Sequence, residues 1–369
     1  MQDKIAVVNG LRALAILGVF GIHLIGSHVP AESGLFGKFI STGWFGVCLF
    51  FVLSGFVLYL PFAAGRQLNV RSFYQHRLAR LYPLYIIASM ISLFIYSESN
   101  TMSPALWRHM LEVITVSFYF TNEGVAIGNG PLWSLAVEFY MSALFPLFVI
   151  GIARWSVWRV AIGLLAATAL LKILYIACGL PPYQHDFWPG NIWRLLIVMQ
   201  SLSEFSLGMW VAILWQRGHL KVLSPYASVL FLSAGLFLLW LTSKQPMNIA
   251  PFPIGIHALF FPVADTLLFV VVASALALPK GILRSALTCW PIQIIGAMCF
   301  SIYVWHMPMM GHLGNIDLKT PLDTVIFALF SFATISVLSA LSYRFIEFPN
   351  KSWRELFLIS RRIVKVDIS

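Results

Sequence analysis

The sequence predicts an all-α, polytopic membrane protein with about ten transmembrane helices, on three observations. Hydrophobic residues make up 59% of the 369 and charged residues only 10%, where soluble domains carry about 25% charge. The mean hydropathy is +0.84. The apolar residues are gathered into runs close to the ~20 that a spanning helix needs, and short basic clusters separate the runs. No soluble core of this length could hide that much apolar surface, so lipid has to be the solvent.

About ten stretches meet or nearly meet the spanning length, with approximate limits 6–26, 39–61, 82–98, 132–151, 160–178, 193–215, 224–243, 255–278, 290–311 and 321–345. The first is longer than the apolar core of a signal peptide, and no small-x-small cleavage site follows it, so it reads as a retained helix. The stretch 107–121 is apolar but short and holds Arg108, His109 and Glu112, which marks an interfacial or re-entrant piece. The basic clusters test the count. They are Lys4; Arg66, Arg71, Arg77 and Arg80; Arg154 and Arg159; Arg217 and Lys221; Lys280 and Arg284; and Lys351, Arg354, Arg361, Arg362 and Lys365. With ten spans every cluster falls on one face, which the positive-inside rule makes cytoplasmic. Both termini are then cytoplasmic, and the opposite loops, such as 181–191 and 315–321, are poor in Lys and Arg. Residues 1–349 read as one transmembrane unit. Residues 350–369 read as a basic cytoplasmic tail with Trp353, Leu356, Phe357 and Ile363 on a surface helix.

The net charge of +10 does not point to nucleic acid, because the charges sit between apolar runs and form no basic stripe. Cys48, Cys178, Cys289 and Cys299 show no paired spacing and read as small apolar side chains, and no metal site is expected.

An ionisable side chain at bilayer depth costs about 2.5–3.5 kcal/mol even on lenient scales. The predicted helices carry Arg12, His23, Glu138, Lys172, Glu204, His257, Asp265 and His306. For each of them a structural ion pair or interhelical hydrogen bond is the plain alternative to a functional role. Arg12 and His23 stand out because eleven positions separate them. At 100° per residue that brings them back to one helix face, about 16 Å apart along the axis. By depth, His23, Glu138 and His306 fall together near the outer leaflet, while Arg77 and Arg80 mark the cytoplasmic rim. Imidazole beside a carboxylate suits general-base work on a hydroxyl, and an arginine pair suits a phosphate-bearing donor.

Several segments in order resemble the acyltransferase-3 family of membrane O-acyltransferases. GLRALAILGVFGIH looks like its first-helix motif, Arg, ten residues, His, filled by Arg12 and His23. GWFGVCLFFVLSGFVL resembles its second helix. FYQHRLARLYPLY is similar to its basic loop with Arg-x-x-Arg, filled by Arg77 and Arg80. GPLWSLAVEFY supplies Glu138; EFSLGM, FSIYVWHMP and YRFIEFP supply Glu204, Trp305, His306, Arg344 and Glu347. The resemblance runs from residue 9 to residue 349. It departs at Phe139, where the family often has a second polar or acidic residue, which leaves Glu138 as the sole acid there. Larger relatives append an extracytoplasmic hydrolase-like domain, and no counterpart is read here.

The resemblance implies transfer of an acyl group, commonly acetyl from acetyl-CoA, to a hydroxyl of an envelope or secreted glycan or a lipid-linked saccharide. It implies a bacterial cytoplasmic (inner) membrane and no bound cofactor. His23 would be the base or the transient acyl carrier, so direct transfer and an acyl-enzyme both stay open. Arg12 would orient the donor or steady the oxyanion, and Glu138 would complete the catalytic set. Arg77 and Arg80 would hold the CoA phosphates, with His306 and Trp305 against substrate. A multi-pass transporter or flippase is the alternative. Inverted repeats and Gly-Pro breaks in corresponding halves would mark it, and neither is clear in this sequence.

Overall fold

The structure is a computed structural model that describes residues 2–24, 37, 39–40, 42–96, 104–121, 129–178, 188–242, 254–313 and 321–358. Among these residues the regular structure is all helical. In chain order the helices are α1 (Gln2–Leu24), α2 (Phe45–Ala63), α3 (Val70–Tyr96), α4 (Pro104–Thr115), α5 (Leu132–Trp155), α6 (Val157–Ala177) and α7 (Trp188–Gln216). They continue as α8 (Pro225–Thr242), α9 (Ile254–Ala277), α10 (Ile282–Thr288), α11 (Trp290–Ala297), α12 (Cys299–Leu313), α13 (Pro321–Ser342) and α14 (Trp353–Leu358).

Every apolar stretch read from the sequence carries a helix. Among the described residues seven helices are long and apolar enough to cross a membrane, or up to nine if each of two bent pairs is one span. α8, read above as a span, is apolar but falls short of that length. The bent pairs are α9 with α10, at 100°, and α11 with α12, at 72°. The apolar run 290–311 is therefore not one straight rod. The bend lets α11 lie on α1, where Gly296 meets the backbone of Asn9 so closely that a Cβ would strike the Asn9 carbonyl.

α7 is the most enclosed span and packs most extensively on α2. Gly55 and Gly208 make that crossing: a Cβ on either would land on the carbonyl oxygen of Phe205 or Val52 across the interface. Apolar side chains gain little by leaving lipid for one another, so close backbone approach through small residues is what membrane helices use instead. α1 sits among α2, α9, α10, α11 and α12. A buried polar cluster ties α6, α7 and α9 together. Lys172 Nζ donates to Gln200 Oε1 at 2.5 Å, Gln200 Nε2 to Glu204 Oε1 at 3.3 Å, and Ser203 Oγ to Asp265 Oδ2 at 3.1 Å. Three of the ionisable residues singled out above thus share one buried interhelical cluster, its hydrogen bonds running through Gln200 and Ser203.

The short stretch 107–121 is α4 followed by a 3₁₀ turn, Ser117–Tyr119, and is too short to span. α4 buries Leu106, Glu112 and Val113 while exposing Trp107, Leu111 and Ile114. A helix end leaves its last carbonyls without intrahelical partners. Here three tyrosines supply them: Tyr85 donates to the Val113 carbonyl at 2.7 Å, Tyr82 to Ile114 at 2.7 Å and Tyr140 to Val116 at 2.6 Å. Val116 itself sits at φ 58°, a left-handed conformation that a β-branched residue takes only under constraint. Arg194 on α7 adds a donor to the Thr121 carbonyl at 2.8 Å.

One boundary differs from the expectation in a way that matters. The arginine-bearing segment, read as a loop before a helix at 82, is helical from Val70, with the Ser72 N–H capped by Asn69 Oδ1 at 3.0 Å. Arg77 and Arg80, three apart on a helix, therefore project from one face. At the other end, Ser352 N–H donates to Glu355 Oε2 at 2.6 Å and Glu355 N–H to Ser352 Oγ at 3.2 Å. This reciprocal cap opens α14. It also holds the Glu355 carboxyl below the usual carboxylate range, because the Ser352 backbone N–H favours its ionised form. Arg361, Arg362, Ile363 and Lys365 of the expected tail helix lie outside the described residues, as do 181–187 and 315–320 of the outer loops.

Candidate active site

α1 carries the two ends of the site. Toward its C-terminus His23 Nδ1 lies 3.0 Å from His306 Nε2 on α12, with the two rings tilted by 27° and their centres 5.1 Å apart. His306 is fully buried, and its Nδ1 reaches the Tyr303 carbonyl at 2.5 Å. Eleven residues back along α1, Arg12 lines a cavity together with Arg77, Arg80, Glu138, Ser54, Ser134 and Tyr303, backed by Phe50 and Phe51. The expected polar stripe thus joins an imidazole pair to an arginine-lined cavity.

The cavity's charges are paired unequally. Arg77 Nη2 and Glu138 Oε1 form a close ion pair, in which Arg77 is 12% and Glu138 20% exposed. Arg77 Nε also donates to Ser142 Oγ at 3.0 Å, and Ser54 Oγ to Glu138 Oε1 at 3.3 Å. Arg80, 35% exposed, faces Glu347 at 3.6 Å and lies 4.7 Å from the centre of the Phe348 ring. Glu347 is held in turn by the Ser301 hydroxyl. The buried Nε of Arg12 has no hydrogen-bond partner among the described residues. Three guanidiniums meet two carboxylates, so one positive charge is in excess, and a buried N–H stands ready for an acceptor. The cavity has about 60 Å³ of room, enough for roughly four to six waters at about 10–15 Å³ each. That suits a small anionic or carbonyl group and is far below a nucleotide.

Tyr303 connects the two ends. It lines the cavity, its ring centre is 5.4 Å from that of His306, and its hydroxyl lies 2.5 Å from Ser134 Oγ and 2.8 Å from the Pro131 carbonyl. Sequence reasoning passed over it, although a residue three before His306 on a helix had to share that face. Glu138, expected at the level of the imidazoles, instead meets Arg77, and Ser134 one turn before it is the α5 residue that meets Tyr303. Phe139 fills the place of a second acid with an aromatic contact, 5.2 Å to Tyr85. Trp305 is buried, and its indole N–H donates to Ser342 Oγ on α13 at 2.8 Å, a helix-packing position. Arg344 Nη1 donates to the Pro349 carbonyl at 2.8 Å and closes the turn after α13.

Helices of this length and hydropathy, enclosing an arginine-lined cavity, define a multi-pass α-helical membrane protein. The family model described as an acyltransferase domain matches residues 5–344, nearly the whole chain. The chain belongs to that family, acyltransferase-3. The peptidoglycan O-acetyltransferase OatA of Listeria monocytogenes is 25% identical to it, over 93% of this chain and 55% of its own length. The O-acetyltransferase OatA of Staphylococcus aureus is 24% identical over 93% and 56%. The acyltransferase MdmB of Streptomyces mycarofaciens is 27% identical over 62% of each chain. The chain spans just over half the length of the two OatA relatives. No solved structure matches it.

Proposed function

We propose that the protein moves an acetyl group from cytoplasmic acetyl-CoA to a hydroxyl of an extracytoplasmic glycan or lipid-linked saccharide, with residues 1–349 as the catalytic unit in a bacterial cytoplasmic membrane. One observation carries the reading: a single helix presents an unpartnered arginine N–H inside a cation-rich cavity and an imidazole about 16 Å further along the same face. The names of the OatA and MdmB relatives, an O-acetyltransferase pair and an acyltransferase, agree with it.

The roles follow from distance and pairing. Arg80, the more exposed arginine, takes a donor phosphate at the cavity mouth. Arg12 binds the donor arm within, and at about 16 Å from His23 it is too far to steady an oxyanion formed there. Arg77 is committed to Glu138, so that pair shapes the cavity and gives neither a phosphate site nor a base. Trp305 and His306 fix α12 and its side chains, and His23 takes the proton of the acceptor hydroxyl. As the hydroxyl oxygen attacks the thioester carbonyl, the C–S bond breaks and the sulfur leaves with one proton, which yields an ester and a free thiol.

Envelope glycans from cells with and without the chain, compared by mass spectrometry, test the class and the acceptor together. An acetyl-ester mass present only with the wild-type chain is expected, and it should vanish in a His23→Ala variant that still inserts and accumulates. Glycans acetylated equally in cells with the His23→Ala chain would remove His23 from the chemistry.

A further inference from the structure

The His23–His306 pair determines the placement of its own protons. His306 Nδ1 lies 2.5 Å from the backbone carbonyl oxygen of Tyr303. A carbonyl only accepts, so Nδ1 carries the hydrogen. A neutral imidazole has one N–H, and Nε2 of His306 is left as an acceptor. That nitrogen is 3.0 Å from Nδ1 of His23, so His23 must donate from Nδ1. Among the described residues no carboxylate pairs with either ring, and His306 is completely enclosed, conditions under which the neutral form is kept.

We propose that His306 is a positioning residue that fixes His23 as the Nδ1–H tautomer and leaves Nε2 as the one basic nitrogen of the pair. The inference rests on the proposed role of His23 for its catalytic half, while its tautomer half stands on geometry alone. When the acceptor oxygen attacks the thioester carbon, its proton goes to His23 Nε2. The imidazolium so formed keeps Nδ1–H bonded to His306 Nε2, which spreads the new charge. The breaking C–S bond leaves its electron pair on sulfur, and sulfur takes the Nε2 proton back. His306 neither gains nor loses a proton, the part an orienting group plays beside a base. Tyr303 enters twice, through the carbonyl that orients His306 and through the side chain that lines the cavity.

The plain rival is that the two rings merely pin α1 to α12. Nitrogen-15 NMR of histidine-labelled full-length protein in lipid bilayers, above neutral pH, separates the two readings. Loss of a signal in His23→Ala identifies His23 among the nine histidines. Wild-type His23 is expected to show a protonated Nδ1 and a bare Nε2. His306→Gln keeps a side-chain oxygen able to accept from Nδ1 and should preserve both that signature and most of the turnover. His306→Phe fills the volume without an acceptor, so the signature should be lost and kcat fall on the order of 10²-fold, the low end of what general-base catalysis supplies. A bare Nδ1 in the wild type, or His306→Phe that keeps the signature and the rate, overturns the inference. If His23→Ala remains active while the wild-type signature is found, the base assignment falls and the tautomer assignment stands.

Discussion

Replacing Glu138 by glutamine separates a structural carboxylate from a chemical one. The side chain keeps its shape and an oxygen for the Arg77 and Ser54 contacts and loses only its charge. Arg77 is 12% exposed and keeps its bond to Ser142, so its charge stays where it is. Arg12, Arg77 and Arg80 would then face Glu347 alone. Breaking a buried pair from one side costs about 3–5 kcal/mol, while exposed pairs contribute about 0–1. With the partners 12% and 20% exposed, a loss of about 2–3 kcal/mol is expected, between those limits. Unfolding in mixed micelles of rising dodecyl sulfate content reads it. A Glu138→Gln/Arg77→Gln double variant should recover half or more of the loss, because it removes the stranded cation. A Glu138→Gln protein as stable as the wild type, with no activity and no coupling to Arg77, would refute this reasoning and return Glu138 to the proton-transfer machinery.

Arg80→Ala should raise KM for acetyl-CoA about 10- to 100-fold with kcat little changed, the loss of one charge-assisted contact; steady-state kinetics in proteoliposomes checks it, and an unchanged KM would make Arg80 an anchor only. Tyr85→Phe strips the donor from the buried Val113 carbonyl and should cost about 1–3 kcal/mol in the same micelle titration, together with easier proteolysis after α4. A reporter fused after Lys365 that works only in the cytoplasm should be active, since every basic cluster shares one face under the ten-span reading; activity of a periplasmic reporter there would invert the layout.

Helix content was legible because apolar runs near spanning length leave little choice in lipid, and the α1 stripe was legible because eleven residues make just over three turns. Pairing was not legible. Arg77 and Glu138 are 61 positions apart, and His23 and His306 are 283 apart, so no local period brings either pair together. Depth counted from helix ends put Glu138 with the imidazoles because it treated every span as upright and equal in length. The start of α3 was misplaced because hydropathy reads arginines as loop, whereas their stems can lie along a helix with the charges in a cavity. Asn69 three residues before Ser72 was a usable start signal. The bend at 298 could not be seen in a continuous apolar run, since the contact it allows, Gly296 on Asn9, joins distant parts of the chain.

The unlike ends of α1 bear on which substrate approaches from where. The cavity around Arg12 is cationic, so on the proposed reading it takes the anionic arm of an acyl donor. The His23 end holds neutral rings without a charged partner among the described residues, a setting suited to a hydroxyl and indifferent to a phosphate. The donor therefore has to reach along the face of α1 past Tyr303, while the acceptor meets the imidazole from the opposite side. Acyl group and proton then travel in opposite senses, the acyl group to the acceptor oxygen and the proton to the sulfur. No net charge crosses the bilayer, which a transfer site buried among apolar helices requires, since an uncompensated charge at this depth costs several kcal/mol.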